Sequence, residues 1–85
     1  MSDSIVSCKL YRDIDNSIKY YEVTFSFGGL DVLSGWNPIY VYPHSMTNPT
    51  DLEEVRTLAC LQATATKALF SSAEEITAIN GPVSL

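Results

Sequence analysis

Three side chains of this 85-residue chain carry the chemistry for nucleophilic or metal-assisted catalysis: Cys8, His44 and Cys60. A cysteine–histidine pair works only when thiol and imidazole come within hydrogen-bonding reach, so that the ring can take up the thiol proton. A zinc site draws on clustered cysteines and histidines at short spacing. Cys8 and Cys60 lie far apart and His44 is the single histidine, so neither arrangement is encoded locally. Cys8 falls in an alternating apolar segment and Cys60 in a helical one, positions where a free cysteine behaves as a small buried hydrophobe. The neighbours Glu53-Glu54 and Glu74-Glu75 would stand about 100° apart on a helix, suited to its N-terminus rather than to a converging acid–base pair. Gly28, Gly29 and Gly35 form no phosphate-cradling loop, because neither GxxxxGK[ST] nor a helix-opening GxGxxG is present. The expectation is a protein that is not an enzyme and takes no metal or cofactor.

Recognition chemistry is better represented. Tryptophan and tyrosine dominate interface energetics because they bring large rigid area with a polar tip. The stretch GGLDVLSGWNPIYVYP, Gly28 to Pro43, sets Leu30, Val32, Leu33 and Trp36 between glycines and follows them with Tyr40 and Tyr42. Two readings of Gly28 to Pro38 compete. In one, Leu30, Val32 and Leu33 make a bulged strand or a loop under the sheet, with Trp36 closing the core. In the other, an apolar loop is presented to a partner, with Trp36, Tyr40 and Tyr42 as anchors. The candidate protein-binding residues are Tyr20, Leu30, Val32, Leu33, Trp36, Tyr40 and Tyr42.

These residues must be positioned by a small sheet. IVSCKLY, Ile5 to Tyr11, alternates Val6, Cys8 and Leu10 with Ser7 and Lys9, the period of a strand with one apolar face. RDIDNS supplies turn residues that accept local backbone bonds and tolerate left-handed geometry. IKYYEVTFSF, Ile18 to Phe27, is a second strand, with Tyr21, Val23, Phe25 and Phe27 on one face and Ile18, Tyr20 and Glu22 on the other. The two read as an antiparallel hairpin. Ile39 to Tyr42 is a third strand, Ile39 and Val41 facing one way and Tyr40 and Tyr42 the other. Pro38 lacks a donor, which suits a strand start or an edge.

A helix follows, starting near Asn48-Pro49 or at the capping-box pair Thr50 and Glu53. It should run to Phe70 or Ser71. Leu52, Val55, Ala59, Ala63, Thr66 and Phe70 fall on one stripe, widened by Leu58 and Leu69. Leu61 and Ala68 lie nearly opposite, either as ordinary exposed residues or as an oligomer interface. In the closing segment, Ser71 or Ser72 can cap a short turn, Ile76 to Asn80 can form a fourth strand, and Asn80-Gly81-Pro82 is a turn. Val83 and Leu85 are apolar where chains are commonly frayed and polar, a hint that a neighbouring subunit holds the tail. The reading is one α+β domain over residues 1–85, a sheet of three to four antiparallel strands in the order β-β-β-α-β with one long helix on one face.

Ten acidic residues against five basic ones give a net charge of −5. Direct binding to nucleic acid then lacks its usual source of affinity. The opening residues show no signal-peptide pattern, no segment approaches a membrane span, and isolated cysteines point to reduced thiols. The expected location is the cytoplasm, that of a host cell if the protein is viral. One helix covers one sheet face, which leaves Ile5, Tyr11, Ile18, Tyr20, Tyr40 and Tyr42 as a patch on the other, larger than most monomers expose. The leading expectation is a protein-binding domain and homo-oligomer, in the style of a virus-encoded inhibitor or adaptor. Two alternatives remain: an acidic nucleic-acid mimic, with Asp13, Asp15, Asp31, Asp51, Glu53 and Glu54 clustered on one surface, and a structural subunit of a larger assembly.

Overall fold

A computed structural model describes residues 3–28, 37–70, 74 and 76–85. Three antiparallel strands, β1 (Ser4–Arg12), β2 (Ile18–Ser26) and β3 (Asn37–Val41), lie in the order β1-β2-β3 and are followed by one long helix, α1 (Leu52–Phe70). The fold is the expected α+β arrangement in its three-strand form. The fourth strand at Ile76 to Asn80 does not form; Thr77–Ile79 is a short 3-10 turn instead.

The β1–β2 turn is built from the side chains that predicted it. Asn16 takes a left-handed φ of 70°, a conformation that asparagine tolerates better than most residues. The Asp15 carboxylate accepts from the backbone N–H and hydroxyl of Ser17 at 3.0 and 2.6 Å. Arg12 closes the loop by donating to the Asn16 carbonyl at 3.0 Å.

Two register shifts change which residues share a face. Ile5 pairs with Phe25 and Ser7 with Thr24, so Val6 is an extra residue. Tyr11 pairs with Tyr20 and Arg12 with Ile18, so Lys19 is an extra residue. Each bulge inverts the alternation beyond it. Ile5 and Ile18, expected on the tyrosine face, are therefore on the helix side and pack against the core. Val6, expected on the core face, is 57% exposed.

The core joins Tyr21, Val23, Phe25 and Phe27 to Ile39 and Val41, and Val55, Ala59 and Ala63 of α1 close it. The helix packs on β2 and β3 and leaves β1 largely uncovered. For this reason Cys8 and Leu10, although paired with the buried Val23 and Tyr21, are exposed rather than buried. Leu52, expected on the buried stripe, and Leu69, expected to widen it, are also exposed. The Phe70 side chain and the proposed cap at Ser71 or Ser72 lie outside the described residues.

The start of α1 differs from both expected caps. Asp51 is the capping residue, accepting from the N–H groups of Glu53 and Glu54 at 3.0 and 3.4 Å. Asn48 instead holds Thr50 in a local side-chain turn. Glu54 reaches back to the N–H groups of Thr47 and Asn48, both at 2.9 Å. The buried Tyr21 donates its hydroxyl to the Pro49 carbonyl at 2.7 Å, tying this entry loop to the sheet. At the other end, Lys67 pairs with Asp3 at 2.7 Å.

Hydrogen bonds from Asn48 and Thr47 hold the Glu54 carboxyl below its ordinary range, as Ser17 does for Asp15. Folding favours the charged form of each, so their stabilisation is present above the unfolded-chain values and is lost as pH falls through the lowered folded ones. Thermal melts followed by circular dichroism should therefore fall in midpoint below about pH 5. Glu54→Gln should melt lower than the parent at neutral pH and converge with it in acid. Within the core, Ala59→Leu should cost about 1–3 kcal/mol by overpacking in urea titrations.

Candidate protein-docking face

The sheet face away from α1 is organised by strand pairing. Tyr11 lies opposite Tyr20, with ring centroids 4.9 Å apart. Tyr42 follows β3 and brings its ring to 5.8 Å from Tyr20. The next row sets Lys9, Glu22 and Tyr40 side by side across the three strands, with Tyr40 edge-on to Tyr20 at 5.2 Å. His44, in the 3-10 turn Pro43–Ser45, stacks on Tyr42 at 5.5 Å. Farther along, Ser7, Thr24 and Pro38 form a third row in which Thr24 is buried. The accessible part of the face is its tyrosine end.

Tyr20 is the hub, touching three other rings and half-buried beneath them. Tyr11, Tyr40 and Tyr42 remain 37–43% exposed. Contact with Tyr20, tilted for Tyr11 and edge-on for Tyr40 and Tyr42, restrains the rings and lowers the side-chain entropy that an incoming surface would have to remove. Glu22 accepts a hydrogen bond from the Tyr40 hydroxyl, and this bond, with partial desolvation and the nearby carboxylate charge, raises the phenol above its ordinary range. The result is an apolar floor with hydroxyl tips, one carboxylate and one ammonium.

The sequence-derived candidates divide accordingly. Tyr20, Tyr40 and Tyr42 come together on one face. Leu30, Val32, Leu33 and Trp36 lie outside the described residues, as does the choice between a core and a binding role for that segment. Leu61 is 65% exposed on the outer side of α1, and Ala68 is also exposed. Tyr11, named in the patch but not among the candidate binding residues, joins the site, and so does His44, considered only for catalysis. Tyr11 was legible as a member of the same alternating face; His44 was not, because its position depends on the turn after β3. The patch loses Ile5 and Ile18 to the bulges and is more amphipathic than expected.

The one histidine and Cys8 do not converge. His44 stacks on the tyrosine side, whereas Cys8 faces the helix side. Cys8 and Cys60 are exposed rather than buried, and desolvation raises the Cys8 thiol pKa, which lowers its reactive thiolate fraction. Among the described residues no group of three His, Cys, Asp or Glu side chains is placed to hold a metal ion. No helix among them is long and apolar enough to cross a membrane. Of the acidic residues, Asp15, Asp51 and Glu54 are engaged with backbone groups in turns and caps, and Asp31 lies outside the described residues.

In a titration followed by NMR of labelled tyrosines, Glu22→Gln should move the Tyr40 resonance to a lower midpoint. An unchanged midpoint would remove Glu22 as the cause. No protein-family model matches the chain, and comparisons with curated proteins and with solved structures found no match.

Proposed function

We propose that this chain is a non-enzymatic protein-binding domain that docks through the tyrosine end of its open sheet face. The observation that carries the reading is the tyrosine cluster in which Tyr11, Tyr40 and Tyr42 each contact Tyr20 and stay accessible on the face that α1 does not cover. Tyrosine provides contact area and a hydrogen-bonding tip at low entropic cost, the combination found at interface hot spots. The placement of Cys8 and His44 on opposite sides of the sheet supports a role without chemistry. Inhibitor or adaptor activity, self-association included, fits such a surface. Docking would be driven by desolvation of rings more than by net charge, and would respond weakly to salt.

Site-specific photocrosslinking in cells tests this. A photoreactive residue at Tyr42 or Tyr11 should give discrete adducts, to a second copy or to another protein, and one at the exposed Gln62 of α1 should not. Tyr20→Ala should abolish the adducts at Tyr42, while Cys8→Ser and Cys60→Ser each leave them in place. Equal crosslinking at Gln62, or none at the tyrosines, would overturn the assignment.

A further inference from the structure

A second surface lies on the helix side, separate from the tyrosine face. Because α1 sits over β2 and β3, an open groove runs between β1 and the helix. One section, about 590 Å³, is lined by Ile5, Cys8, Val23, Leu52, Val55 and Arg56 among others. The next, about 460 Å³, shares Cys8 and Leu52 and adds Leu10, Arg12 and Ile18. Its floor is apolar and its exposed walls, Leu10 and Leu52, are 41% and 68% accessible.

Two further observations specify what the groove accepts. First, β1 is an edge strand, with no neighbour on its outer side among the described residues. The backbone groups it turns outward call for a partner that is itself extended backbone, which a helix or a lipid chain would not supply. The Val6 bulge interrupts the edge, so regular pairing is available from Ser7 to Arg12. Second, the charges there are positive. Arg12 and Arg56 line the groove, its one acidic lining residue, Asp3, is already paired with Lys67, and Lys9 projects from the opposite side of the same strand. Arg56 makes no ion pair among the described residues, and Arg12 uses one nitrogen on the Asn16 carbonyl. This local sign is opposite to the chain's net charge of −5.

The geometry points to strand addition by an acidic partner segment. An extended peptide pairs with Ser7 to Arg12, seats alternate apolar side chains against Cys8, Leu10 and Leu52, and places carboxylates near Lys9, Arg12 and Arg56. A second copy of β1 is the wrong occupant, since Ser4–Arg12 carries two cations and no acid. The same charges that discourage β1 from pairing with itself favour an acidic strand.

Selection of displayed random peptides on the full chain tests this. Enriched sequences should alternate apolar and acidic residues. A synthetic peptide of the enriched sequence should shift the amide resonances of Ser7 to Arg12. Its binding should weaken roughly tenfold or more in Arg56→Glu and in Leu10→Lys, and persist in Tyr42→Glu, which separates it from the tyrosine face. Arg56 and Leu10 are exposed, so neither variant disturbs the core. Enrichment of basic or helix-forming peptides, failure to enrich any sequence, shifts confined to residues outside β1, or a β1–β1 dimer in sedimentation equilibrium would each overturn it.

Discussion

The constraint on which this fold depends is the width of a single helix. An α-helix is about 10 Å across with its side chains, and strands stand about 4.8 Å apart, so one helix covers two strands well and a third poorly. Here α1 meets β2 and β3 through Val55, Ala59 and Ala63, where the small alanines allow close approach to the sheet. Among the described residues, every buried strand residue is drawn from β2, β3 and the segments that continue them. β1 is held by its ladder to β2, by the packing of Ile5 on the core and by the Asp3–Lys67 pair.

The two bulges complement that arrangement. Without them, strict alternation would leave Ile5 and Ile18 among the tyrosines, facing water. One extra residue at Val6 and one at Lys19 turn both isoleucines toward the helix. The tyrosine end of the face they leave is almost wholly tyrosine, glutamate and lysine, which water tolerates and a protein surface can still use. The price is Val6, left exposed at the edge. The sheet thus has two unlike accessible surfaces, an aromatic one without net positive charge and an apolar groove rimmed by arginine.

Polar side chains near the elements have local duties. Asp15 and Asn16 make the hairpin turn, Asp51 caps the helix, and Glu54 ties the preceding loop to it. These contacts explain part of the acidic composition without invoking a charged binding surface. They also show why a capping pair is hard to choose from sequence: Asn48, Thr50 and Asp51 are all competent caps, and the selection follows from where Tyr21 anchors Pro49.

Local chemistry by itself determined the hairpin, the three strands, the helix and the common face of Tyr20, Tyr40 and Tyr42, because period-two and helical patterns depend only on neighbours along the chain. Tertiary structure alone decided which strand α1 would leave open, since Cys8 and Leu10 carry the same core-facing pattern as Val23 and Tyr21. It also decided the bulges, which are properties of a paired strand and leave no mark in one strand's alternation. His44 reached the tyrosines by the path of a turn, and Arg56 reached the groove by the placement of the helix; both are relations between elements.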